Sequence, residues 1–177
     1  MGYTHYWQRP AELNKKTWGQ FIEELQMLKE NLPEHCITAG NNYKDEHIEI
    51  AGWNHAKEEY EIDYDIYDPE TESIAFNGVG DLSHESFNLE RVLDKEGYSQ
   101  PNPKTGLAFG FCKTAHKPYD TFVCLALISF KRWFLNKVTV SSDGDKSDWE
   151  NALVLYHKLT DAHIPTYNML MHRNEEE

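Results

Sequence analysis

The residues best placed to do chemistry sit in two short turns. Lys113-Thr114-Ala115-His116-Lys117 carries cations and a hydroxyl and is followed by Asp120, and Ser141-Ser142-Asp143-Gly144 carries two hydroxyls and a carboxylate. A basic turn beside a helix start can hold a phosphate, because backbone N–H groups and the helix dipole add to the lysines. The competing reading is a solvated turn. Asp143 can accept hydrogen bonds from a ribose, as an acidic residue does in dinucleotide sites. Asp-Gly is also ordinary turn chemistry.

Further candidates lie elsewhere. His5 and Trp7 alternate on an aromatic strand and can contact a base or its sugar if that face turns toward the site; the alternative is a packed core histidine. Asn77, before Gly78, can read an amide or base edge, or simply close a turn. Cys112 has His116 nearby, but a catalytic thiol needs a depressed pKa and a positioned base, and cysteine is also a common core residue. Nine histidines show no His-Glu-x-x-His and the cysteines no Cys-x-x-Cys, so no metal or cofactor is expected. His84-x-Ser86 matches only half of a two-histidine phosphoesterase pattern. No convincing set of nucleophile, base and orienting group emerges.

The elements that must position these residues can be read around them. Gly106–Cys112 is a short apolar run and reads as a strand. Pro118 suits a first helical position, Asp120 suits the first turn, and Phe122–Leu135 is apolar on most sides, hence a buried helix. Lys137–Ser141 is β-branched and reads as the next strand. Ser147-Asp-Trp-Glu150 has capping-box spacing before a helix over Ala152–Leu159. A strand, crossover helix and strand in one sheet are usually parallel and right-handed. Both turns then fall at one edge, beyond the strand C-termini, where ligands bind in open α/β sheets.

Upstream, Gly2–Arg9 alternates with Tyr3, His5 and Trp7 on one side and is a strand. Lys15–Leu32 is an amphipathic helix with Trp18, Phe21, Ile22, Leu25 and Leu28 on one face, stopped at Pro33. Short strands are expected at 36–42, 47–51, 73–77 and around 86–89. Glu58–Asp68 alternates and predicts a half-exposed strand, with Tyr60, Ile62, Tyr64 and Ile66 inside and Glu59, Glu61, Asp63 and Asp65 outside. The acidic run Glu58–Glu72 shows no compensating Lys or Arg. Asp94–Thr105 reads as a surface loop, Ile164–Met171 as an edge strand. The fold class is α+β: one domain over residues 1–177, with a mixed sheet completed by a C-terminal βαβα unit.

Composition narrows the partners. The 177 residues carry a formal net charge of −13, which disfavours general binding to phosphate backbones but leaves a small anionic ligand open. The apolar fraction of 40% supports a real core. No signal peptide opens the chain, and Phe122–Phe130 is too short to span a bilayer. Three cysteines without zinc spacing read as cytosolic thiols.

Several segments together resemble an uncharacterised family of small proteins from tailed bacteriophages and some bacteria. They are the Gly2-Tyr-Thr-His-Tyr-Trp7 opening, Ile74-Ala-Phe-Asn-Gly78, Phe111-Cys-Lys-Thr-Ala115 with Lys117-Pro-Tyr-Asp120, and Ser141-Ser-Asp-Gly144 with Asp148-Trp149. The resemblance covers most of the chain and carries no activity. It implies a phage or prophage origin, hence the cytoplasm of a host cell and a counter-defence role. The expectation is therefore a binding protein that captures an anionic, nucleotide-like small molecule through Lys113, Thr114, Asp120, Ser141, Ser142 and Asp143, with His5, Trp7 and Asn77 as second candidates. The alternatives are a nucleotide hydrolase or phosphodiesterase using the same pocket, and an acidic inhibitor of a host defence protein. No membrane partner is expected, and a homo-oligomer is left open.

Overall fold

The computed structural model describes residues 2–37, 43, 45–162 and 166–171. It is α+β, with two sheets whose paired neighbours are all antiparallel and four helices. The single mixed sheet read from the sequence is thus two sheets.

The first sheet has three strands in the order β7 (Leu107–Lys113), β1 (Thr4–Pro10), β8 (Thr139–Ser142). β1 runs antiparallel to both flanking strands, so β7 and β8 run parallel to each other with β1 between them. The crossover helix α2 (Asp120–Phe134) joins them. The C-termini of β7 and β8 and the N-terminus of β1 therefore meet at one edge. The start of α3 (Lys146–Thr160) follows directly from β8. Its cap differs from the sequence reading: the capping box is Asp145 with Asp148, not Ser147 with Glu150.

The helix α2 is the centre of the molecule. Residues 120–131 are all buried, because neighbours cover it on several sides. Helix α1 (Lys15–Glu30) buries the five residues expected, and Phe21 packs on Phe130 at 5.7 Å between ring centroids. Glu24 of α1 accepts from Ser129 at 2.7 Å and bonds Arg132 and Tyr156, tying α1, α2 and α3 together.

The second sheet is β3 (Glu59–Ile62), β2 (Ala51–Asn54), β5 (Ser73–Asn77), β4 (Tyr67–Asp68), with β6 (Phe87–Glu90) on the other edge of β5. Phe76 carries it onto Phe122 of α2 at 4.6 Å. The buried Arg9 guanidinium links the sheets by donating to the carbonyls of Ala11, Glu90 and Arg91. Burial lowers its pKa to about 10.

Three readings are corrected. The strand expected over Glu58–Asp68 breaks at Asp63, whose φ of +63° interrupts the pleat. Ile62, read as inside, is 51% exposed. The acidic run is also not bare, since Lys57 pairs with Glu61, which further accepts from Asn54 at 2.7 Å. The segment read as a C-terminal edge strand contains a one-turn helix α4 (Tyr167–Leu170), capped by the Thr166 hydroxyl; its first residues fall outside the described set. Residues 38–42 of the strand expected at 36–42 also lie outside it. Among the described residues no helix is long and apolar enough to cross a membrane.

Candidate functional site

The edge is built by strand alternation. In register, His5 lies opposite Cys112 on one side and Ser142 on the other; Thr4 lies opposite Lys113, and Tyr6 lies between Phe111 and Ser141. Paired residues share a face. His5, Cys112 and Ser142 therefore face inward, toward α2, and Lys113, Tyr6, Phe111 and Ser141 face outward. The candidates read from the two turns are thus divided between two faces of one sheet.

On the inner face the side chains form a chain of hydrogen bonds. Ser142 Oγ is 2.9 Å from His5 Nδ1, and His5 Nε2 is 2.7 Å from Asp120 Oδ1. Thr114 Oγ1 donates to the same Asp120 oxygen at 2.6 Å. His5, Asp120 and Thr114 are fully buried, while Ser142 is partly exposed. The His5 ring is held edge-on by Tyr3 and by Trp149, each at 4.9 Å. Tyr3 also stacks on His116 at 3.6 Å. Three buried polar atoms beside this chain, Tyr3 Oη, His116 Nδ1 and Trp149 Nε1, have no hydrogen-bond partner among the described residues. Burial pushes the Tyr3 phenol well up, and the neighbouring Ser142 hydroxyl offsets part of that rise. Ala115 and His116, in the turn between Thr114 and α2, have φ of +50° and +58°. Two consecutive non-glycine residues there store strain of order 1–3 kcal/mol each, and such strain clusters at functional sites.

His5, Asp120 and Cys124 offer ligand atoms within 4.8 Å of one another. They suit a metal poorly. The His5 and Asp120 atoms already bond each other directly, and a cation would have to displace that hydrogen bond.

On the outer face three aromatic rings form a continuous surface. Phe109 and Phe111 are 52% and 54% exposed. The Tyr6 and Phe109 rings are 5.8 Å apart and inclined by 27°, and Phe109 and Phe111 are 6.1 Å apart and inclined by 31°. Lys113 ends the row; its aliphatic stem runs against Gly2, 2.2 Å from where a Cβ there would sit. Among the described residues no carboxylate pairs with its ammonium. Asp143 closes the other side. Its Oδ1 accepts from Tyr6 at 3.1 Å and its Oδ2 from the Thr4 N–H at 3.0 Å, fixing the loop to β1.

The remaining candidates are structural. Trp7 is a core residue against Phe87, its ring seated on Gly110, where any Cβ would lie 2.4 Å from it. Asn77 holds the loop 78–86 by accepting from Gly78 and His84 and donating to the His84 carbonyl and Ser86. Lys117 is engaged on the Asp81 carbonyl and the Tyr43 ring. Cys112 is fully buried, and burial pushes its thiol up, away from the thiolate a nucleophile needs. The sequence reading did not single out Tyr6, Phe109 and Phe111. Their signal was present: small Ala108, Gly110 and Cys112 alternate with them and mark the opposite, covered face.

An open cleft of about 470 Å³ lies away from this edge, on the second sheet, lined by Trp53, His55, Tyr64, Tyr67 and Asp68. It holds no chain of titratable groups comparable to the inner-face one; His55 and Asp68 pair loosely across it at 3.4 Å. Compared with known proteins, the chain matches no family model, no curated protein and no solved structure.

Proposed function

We propose that the protein captures an anionic, nucleotide-like small molecule on the outer face of the three-stranded sheet. One observation carries this reading: Tyr6, Phe109 and Phe111 form an exposed aromatic surface that ends in Lys113, whose ammonium pairs with no carboxylate among the described residues. Half-exposed phenylalanines side by side on a strand call for a partner, since single apolar residues on a surface are normal but a contiguous patch marks a binding site. A nucleobase stacks on such rings at a gain of about 1–3 kcal/mol, and Lys113 supplies the charge for a phosphate. Ser141 lies on the same face and the Asp143 oxygens at its rim, both within the reach of a sugar hydroxyl. The net charge of −13 argues for a ligand with few phosphates and against a polynucleotide. The phage resemblance suggests the setting, sequestration of a host immune nucleotide signal in the host cytoplasm.

The test is native mass spectrometry of freshly purified protein for a co-purifying nucleotide, followed by calorimetry with a nucleoside monophosphate, the nucleoside and inorganic phosphate. Lys113→Ala should weaken the monophosphate by about 1–3 kcal/mol, the range for a lost charged hydrogen bond, and leave the nucleoside nearly unchanged. Phe111→Ala should weaken both by about 1–3 kcal/mol. Affinities indifferent to both changes would remove the reading.

A further inference from the structure

We infer that Ser142 is the nucleophile of a hydrolytic site on the inner face of the same edge, with His5 as its base and Asp120 as the group that orients the base. This goes beyond ligand capture and does not depend on it. The argument starts from the tautomer. Asp120 Oδ1 lies 2.7 Å from His5 Nε2, and an ionised carboxylate only accepts, so that nitrogen carries the proton. The lone pair of the neutral ring is then at Nδ1, which faces Ser142 Oγ at 2.9 Å. The serine hydroxyl points its proton at a base. The Thr114 hydroxyl, bonded to the same carboxylate oxygen, fixes Asp120, and Tyr3 and Trp149 fix the plane of the ring. The roles are those of a serine–histidine–aspartate site, with the two ring nitrogens exchanged: here Nδ1 faces the serine and Nε2 the carboxylate.

Exposure is graded in the right sense. His5 and Asp120 are fully buried, and Ser142 is the partly exposed residue of the three. Its oxygen accepts from the Gly144 N–H at 2.9 Å and retains a lone pair for attack. The Tyr3 hydroxyl supplies what a structural network would not need. It is 95% buried by the 5% exposure of its residue, has no partner among the described residues, and lies beside Gly144, 2.4 Å from where a Cβ there would sit. A buried phenol donor next to the nucleophile suits the negative oxygen that develops during acyl transfer. The groups named around Ser142 are the Tyr3 phenol, the Trp149 indole, His5 and the Asp120 carboxylate, with an Asp148 oxygen lying against Gly144 beside the Tyr3 hydroxyl, whereas phosphoryl transfer relies on clustered cations. The substrate class is accordingly a carboxylic ester.

In the first step Ser142 Oγ bonds to the ester carbonyl carbon and its proton passes to His5 Nδ1. The tetrahedral intermediate expels the alkoxide, which takes that proton and leaves as an alcohol. Water then gives a proton to Nδ1 and adds to the acyl-serine. Ser142 Oγ leaves, recovers the proton, and the carboxylic acid is released. The sum is ester and water to acid and alcohol.

The test is incubation with a fluorophosphonate probe, which mimics the acyl electrophile, followed by peptide mass spectrometry. The expected result is one adduct at Ser142, with none at the exposed neighbours Ser141 and Ser147. Ser142→Ala should abolish it, and His5→Gln should slow it at least about 100-fold, the low end of what a positioned base contributes. Because His5 is buried and its variant can fail to fold, Ser142→Cys gives a second measure. Its thiol should react with iodoacetamide much faster than the buried Cys112 and Cys124 do. An unmodified Ser142 in folded protein, or labelling of Ser141 and Ser142 at equal rates, would overturn the proposal. Both readouts are made on the protein itself, so they succeed or fail independently of nucleotide affinity.

Discussion

Replacing Asp120 by leucine separates a network that holds the edge together from one that is merely near it. Asp120 Oδ1 accepts two buried donors, His5 Nε2 at 2.7 Å and Thr114 Oγ1 at 2.6 Å. Leucine is of similar size but accepts neither. Each orphaned donor costs about 1–3 kcal/mol, so the loss should be roughly 2–6 kcal/mol, before any gain from no longer burying a carboxylate. Asparagine keeps an acceptor oxygen for both donors and turns its NH₂ toward Cys124 Sγ, which lies 3.8 Å from Oδ2. Asp120→Asn should therefore lose only about 1 kcal/mol. Adding Thr114→Val to Asp120→Leu should recover part of the loss, because one orphan is removed with its donor. Urea unfolding followed by tryptophan fluorescence reads all four proteins. The midpoint should move while the slope stays constant. Total stabilities of about 5–15 kcal/mol leave room for the leucine variant to fold, except at the upper end of its range. An Asp120→Leu protein within about 0.5 kcal/mol of wild type, or leucine and asparagine variants of equal stability, would refute the reasoning.

Two further outcomes follow from the same geometry. Cys112 is fully buried and donates to the Glu85 carbonyl at 3.4 Å; Cys112→Ser should leave nucleotide affinity intact, and the wild-type thiol should resist a disulfide reagent until urea unfolds the chain. Glu72 is held below the usual carboxylate range by hydrogen bonds from Arg91, which joins β6 to the turn before β5. A depressed folded-state pKa contributes stability above the ordinary glutamate range and loses it as pH falls through the folded value. The midpoint difference between wild type and Glu72→Gln should accordingly be present near pH 7 and shrink as the pH falls below the ordinary glutamate range; a difference that does not change with pH would show that the ion pair contributes nothing.

What the sequence determined by itself was whatever depends on local period and local stereochemistry. The face of α1 was legible because Trp18, Phe21, Ile22, Leu25 and Leu28 recur at helical spacing, and neighbours three and four apart share a side whatever they later touch. The crossover from β7 through α2 to β8 was legible because apolar runs, Pro118 and the following turn signals succeed one another along the chain, and the two strands do run parallel. The edge where the candidates lie followed from that order alone. Its contents did not. The insertion of β1 between β7 and β8 puts His5 beside residues 115 and 137 positions away, and no local pattern encodes a pairing of that separation. That insertion turned Ser142, His5 and Asp120 into one chain of hydrogen bonds, where the sequence offered only separate hydroxyl, imidazole and carboxylate groups. It also decided that adjacent residues serve opposite faces: Lys113 outward and Thr114 inward, Ser141 outward and Ser142 inward. A strand projects successive side chains to opposite sides, but which side is core depends on where the helices pack. The acidic strand failed for the complementary reason. Its alternation was real, yet the left-handed backbone at Asp63 broke the pleat, and the chain then passes close over Gly52, where a Cβ would lie 2.5 Å from the carbonyl oxygens of Tyr64 and Asp65.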